Sequence, residues 1–83
     1  MGQTPLHYAV KNNLTEVAHF LIHRCQVNVN TRNKMDNTPL HVAVLNNRRI
    51  IVEMLVDAKC DVLLVNKEGY NCLHIAENRQ FAE

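Results

Sequence analysis

The sequence predicts an all-α repeat solenoid, built from helix-turn-helix units joined by β-hairpin connectors, and three observations carry the prediction. Thr4, Pro5, Leu6, His7, Ala9, Val10, Asn12, Asn13 and Leu21 reappear 34 residues on as Thr38, Pro39, Leu40, His41, Ala43, Val44, Asn46, Asn47 and Leu55. A further step of 33 reaches Asn71, Leu73, His74 and Ala76, so the chain is an array with a period of 33 to 34 residues. Each copy opens on a helix-start signature, and polar, turn-forming stretches separate the copies.

Taken in order, Thr4 is a favoured N-cap, because its hydroxyl can accept an orphan backbone N–H, and Pro5 at the first helical position loses nothing by lacking its own. The first helix is short: "KNN" at 11–13 supplies asparagine where the chain must turn through a left-handed conformation. In "TEVAHFLIH" at 15–23, polar Glu16, His19 and His23 alternate with apolar Val17, Phe20, Leu21 and Ile22 at helical spacing, which predicts a second helix. The segment "QVNVNTRNKMDN", 26–37, reads as extended and then polar, with Asp36 and Asn37 where a hairpin needs positive φ.

The second copy repeats this plan. Thr38 and Pro39 open a helix that "LNN" at 45–47 ends. A second helix is expected at about 48–57, although "RRIIVEMLV" is rich in β-branched residues and periodicity alone does not separate helix from strand there. The match to residues 15–23 decides for helix. "CDVLLVNKEGY", 60–70, is the next connector, with Gly69 at its turn. Asn71 then caps a third first helix.

Composition narrows the function classes. A chain of 83 residues is one small domain or a piece of a larger one, and a single core of that size is only marginally stable. The formal charge of +1 supplies no long-range field for nucleic acid or an acidic membrane. The longest apolar block, "IIVEMLV" at 50–56, is far shorter than a membrane span, and no secretory leader pattern opens the sequence. Cys25, Cys60 and Cys72 are an odd number at wide spacing, which argues for reduced thiols. Together these features predict a cytoplasmic or nuclear location. No G-x-S-x-G, P-loop, dinucleotide or kinase motif occurs, and two glycines cannot build a phosphate cradle. No enzyme activity and no cofactor are expected.

The recurrent His7, His41 and His74 are the residues most suggestive of chemistry. A shared metal would need nitrogens about 2.0–2.1 Å from one ion, whereas equivalent residues on stacked helices lie about 8–10 Å apart. No nucleophile recurs beside them. A structural role fits, since an imidazole can donate from one nitrogen and accept at the other, joining a helix start to loop carbonyls. His19 and His23, four apart with Cys25 nearby, have metal-binding spacing but no complete ligand set, and read as the polar face of the second helix.

With these residues in view, the chain resembles the ankyrin-repeat family, whose signature TPLHxA precedes two helices and a turn at a period of 33. "GQTPLHYA", "VNVN", "DNTPLHVA", "CDV" and "EGYNCLHIA" match family positions in order. The resemblance divides residues 1–83 into a repeat at about 4–37, a second at about 38–70 and a partial third at about 71–83, and the chain is expected to be a fragment of a longer array. Three departures stand out. One extra residue falls best within "HRCQ", 23–26; Lys59, Asn13 and Asn47 stand where the family has glycine; and Asn71-Cys72 replaces Thr-Pro.

The resemblance implies that Thr4, His7, Thr38, His41, Asn71 and His74 are structural, each cap linked to its histidine and the neighbouring connector. It also implies binding of another protein along a concave groove and the hairpin tips, with neighbouring ankyrin repeats of the parent chain as further contacts. Carried onto this sequence, the candidate protein-binding residues are Gln3, Tyr8, Lys11 and Asn12, then Lys34, Met35, Asn37, Val42, Leu45 and Asn46, then Lys67, Glu68 and Tyr70. Met35, Leu45 and Tyr70 are the best anchors; Tyr8 and Val42 have packing between helices as the alternative, and Leu45 a hydrophobic seam. Asn30 sits where some family members are hydroxylated, with a hydrogen-bonded turn asparagine as the alternative. Two functions stay open: a protein-interaction module, or a structural spacer within a larger repeat protein.

Overall fold

The computed structural model of the protein describes residues 4–79, of which residues 77–79 are described by their backbone alone. Among the described residues there are five helices: α1 Pro5–Lys11, α2 Thr15–His23, α3 Pro39–Leu45, α4 Arg49–Asp57 and α5 Cys72–Arg79. Helices α1, α3 and α5 stand side by side in one layer, and α2 and α4 form a second layer against it. The layers meet through buried apolar side chains, Leu6, Val10 and Ile22 from the first unit and Leu40, Val44, Ile51 and Leu55 from the second; of these, Leu6 and Leu40, and Val10 and Val44, share a repeat position. Ala9, Ala18 and Ala43 are fully buried, and their small side chains let neighbouring helices approach closely.

The helix boundaries follow from local chemistry. Thr4 and Thr38 are extended caps (φ −83° and −82°) whose hydroxyls accept the amides of His7 and His41, and each is followed by proline at the first turn. At the far end of α1, Asn13 (φ 57°) donates to the Val10 carbonyl at 3.1 Å and Leu14 to that of Ala9 at 2.8 Å. Asn47 (φ 58°) and Arg48 repeat the pair on Val44 and Ala43 after α3, at 3.2 and 2.8 Å. This is the reciprocal bonding that closes a helix on a left-handed residue. Lys59 does the same after α4 at φ 66°, with an apolar stem and a Cβ where glycine would be unstrained.

The helices of the first two units keep an offset of 34, while the left-handed residues Gln26 and Lys59 are 33 apart. The extra residue therefore lies in Arg24, Cys25 and Gln26. There the Val27 amide reaches back six residues to the Leu21 carbonyl at 3.2 Å, whereas the Cys60 amide reaches back five to Leu55.

The connectors differ from the predicted β-hairpins: among the described residues none is a strand. Each tip closes with one backbone rung, Asn33 N–H to the Asn37 carbonyl at 3.0 Å and Asn66 N–H to that of Tyr70 at 2.9 Å. The second rung is lost because the Asn33 carboxamide oxygen accepts the Met35 and Asn37 amides, and that of Asn66 accepts those of Glu68 and Tyr70. Local side-chain bonding of this kind competes with a ladder. Asp36 (φ 61°) and Gly69 (φ 85°) take the positive-φ positions of the two tips.

Candidate functional site

The repeated geometry of the array runs through the buried histidines, which bond the connector carbonyls. His41 is 1% exposed. Its Nδ1 receives the Thr38 amide at 3.1 Å and lies 2.8 Å from the Thr38 hydroxyl, so Nδ1 is the acceptor and the hydroxyl donates to it. The proton must then sit on Nε2, which donates to the Tyr70 carbonyl at 2.8 Å. His7, fully buried, repeats the arrangement with the Thr4 hydroxyl at 2.8 Å and the Asn37 carbonyl at 2.7 Å. Each imidazole thus fastens the start of one first helix to the end of the following connector, about 30 residues away in sequence.

Both nitrogens of these rings are engaged, so neither offers a lone pair to a metal without losing a bond. Burial lowers the pKa of His7 and of His41, opposed in each case by the bond to a carbonyl, of Asn37 or Tyr70; the Arg32 charge lowers His41 further. The rings are accordingly neutral struts. His74 keeps the local half of the motif, accepting the Asn71 amide at 3.2 Å while its own amide donates to the Asn71 side chain at 3.0 Å. Its ring is exposed and packs edge-on to Tyr70, with centroids 6.2 Å apart.

The tips are tied to each other as well. Asn66 donates its side-chain N–H to the Asn37 carboxamide oxygen at 3.0 Å, and the Lys67 amide donates to the Met35 carbonyl at 3.0 Å. Nearer the second helices, the Asp61 amide donates to Asn30 Oδ1 at 2.7 Å, so Asn30 is a hydrogen-bonded turn residue linking two connectors. The sequence does not announce the ties between the tips, whereas a hydrogen-bonded Asn30 is one of the two readings given for that residue above. Within the tips, the recurrence of Asn33 as Asn66 repeats one local pattern, each bonding the amides two and four residues on.

The candidate binding residues fall into three groups. Tyr8, Lys11, Lys34, Met35, Lys67, Glu68 and Tyr70 are exposed, and the large apolar ones among them, Tyr8 at 56%, Met35 at 52% and Tyr70 at 44%, lie on the solvent side of the first unit and on successive tips. Asn12, Asn37 and Asn46 spend their side chains on the scaffold: Asn12 and Asn46 bond the Tyr8 and Val42 carbonyls at 3.0 and 2.8 Å, and Asn37 accepts from Asn66. Val42 is 8% exposed and belongs to the core, with Leu45 packed partly against it. Tyr8 and Val42 share one repeat position, but Val42 belongs to α3, which is flanked by both α1 and α5. Gln3 lies outside the described residues.

His19 and His23 are exposed, with ring centroids 4.3 Å apart, and no group of three or more His, Cys, Asp or Glu among the described residues is placed to hold a metal. No helix among the described residues is long and apolar enough to cross a membrane. The three thiols are free, Cys25 exposed, Cys60 half-buried and Cys72 buried with its Sγ donating to the Val62 carbonyl at 3.4 Å. A family model described as ankyrin repeats (3 copies) matches residues 1–64 and 28–83. No curated protein matches the chain.

Proposed function

The chain belongs to the ankyrin-repeat family, and from that premise we propose that it is a non-catalytic module that binds another protein through its connector tips and the adjoining face of the first helices. Ankyrin repeats generally serve protein interaction. One observation supports the finer reading. Met35 and Tyr70 are more than 40% exposed, on tips where the Asn33 and Asn66 side chains already accept their amides, so both large side chains leave much of their surface open to a partner. The Lys67-to-Met35 bond holds the two tips at a fixed spacing, which lowers the ordering cost of binding. Lys34, Lys67 and Glu68 form the polar rim around them.

The test is a binding isotherm with a partner captured on the immobilised chain and then purified. Replacing Met35 and Tyr70 together by alanine should weaken saturable binding by at least tenfold with the unfolding midpoint unchanged. Undiminished affinity in that double variant would place the interaction elsewhere.

A further inference from the structure

Of the five histidines, three serve the scaffold. His7 and His41 engage both ring nitrogens, and the His74 ring accepts the Asn71 amide. His19 and His23 are different. Both are exposed on α2, four residues and so about one turn apart on one face, and among the described residues neither ring makes a hydrogen bond or an ion pair. Their centroids nevertheless stand only 4.3 Å apart, with the ring planes tilted by 46°. The repeat shows that the fold does not ask for them, since their counterparts in α4 are Glu53 and Asp57, also exposed.

We propose that His19 and His23 form a two-imidazole chelate for one divalent ion of the Zn²⁺, Ni²⁺ and Cu²⁺ class, with water filling its remaining positions. Nitrogens about 2.0–2.1 Å from an ion, and about 90–109° apart as seen from it, would put the two ring centroids about 4.5–5.2 Å apart, within about 1 Å of the spacing already present. Small side-chain rotations are enough to receive the ion. Both ligands are held on one helix, so binding to the first presents the second at high effective concentration. The ion also lies on the last turn of α2, where the helix dipole favours positive charge. Imidazole selects this class over Mg²⁺ and Ca²⁺, which take oxygen ligands, with Cu²⁺ the tightest. Among the described residues no third His, Cys, Asp or Glu is placed to complete a cluster, so the site is open and its ion exchangeable, unlike a closed structural zinc centre. Cys25, two residues beyond His23, stands outside it.

The test titrates zinc chloride and nickel chloride into the full 83-residue protein at neutral pH, with calorimetry giving the stoichiometry and NMR of the imidazole C–H resonances giving the place. The expected result is one ion per chain with a dissociation constant in the tens to hundreds of micromolar, the resonances of His19 and His23 moving and those of His7 and His41 holding still. His19→Gln and His23→Gln, at exposed positions where the fold should be unchanged by circular dichroism, should each weaken binding at least tenfold, and Cys25→Ser should leave it as it was. Saturating zinc should raise the urea midpoint of the parent chain and not that of His23→Gln, because the clamp exists only where α2 is folded. The proposal is overturned by any of three results: no binding below millimolar ion; undiminished binding in either glutamine variant; or loss of binding in Cys25→Ser, which would place the ion on the thiol.

Discussion

Replacing His41 with alanine is the sharpest test of the strut geometry. The substitution removes the Nε2–H bond to the Tyr70 carbonyl and leaves the Thr38 amide and hydroxyl without their Nδ1 acceptor. Thr38 is 2% exposed, so its amide is stranded away from water, at about 1–3 kcal/mol for a buried unpaired group. Water can reach the exposed Tyr70 residue, and its carbonyl adds about 1 kcal/mol at the low end of the same range. The Thr38 hydroxyl can rotate and continues to accept the residue 41 amide, so it adds little. The total is about 2–4 kcal/mol, a large part of the roughly 4–12 kcal/mol that 83 residues command. With a urea slope near 1–2 kcal/mol/M, the midpoint should fall by about 1 M or more. His74→Ala is the internal control: its exposed ring accepts one amide and bonds no carbonyl across the array among the described residues, so its loss should be about 1 kcal/mol or less. An unchanged midpoint in His41→Ala, or equal losses in the two variants, would refute the reasoning.

Other outcomes follow from the same geometry. Because burial depresses both His7 and His41, their contribution to stability is complete above the unfolded-chain value of about 6.5 and is lost as pH falls from there through the lowered folded values. The urea midpoint should therefore drop between pH 7.5 and 5.5, with a limiting slope of about 1.4 kcal/mol per pH unit for each histidine; a flat profile would contradict buried neutral rings. Lys59→Gly relieves a side chain held at φ 66° and should raise stability by up to about 1 kcal/mol, read as a higher thermal midpoint, whereas Gly69→Ala at φ 85° should lower it by a similar amount even though its Cβ would meet no atom within 4 Å. A thiol reagent should modify Cys25 fast and Cys72 slowest, since Cys72 is buried and burial raises its pKa; equal rates for all three would show that the third unit opens readily.

The sequence by itself determined the period, the helix starts and the residues that end the helices. Those features rest on short-range chemistry: a threonine hydroxyl that accepts the amide three residues on, a proline that costs nothing at the first turn, an asparagine that tolerates positive φ. The structural role expected of His7 and His41 rests on the same chemistry, since an imidazole with two bonding nitrogens calls for two partners when buried. Only the tertiary structure decided the rest. It tied the two tips together, Asn66 to Asn37 and Lys67 to Met35, pairs far apart in sequence that local propensity does not foretell. It also separated residues that share a repeat position. Tyr8 is open and Val42 is enclosed, Ile22 is buried and Val56 is half-exposed, because in an array burial depends on whether a neighbouring unit lies alongside, and that is a property of the stack rather than of any one repeat.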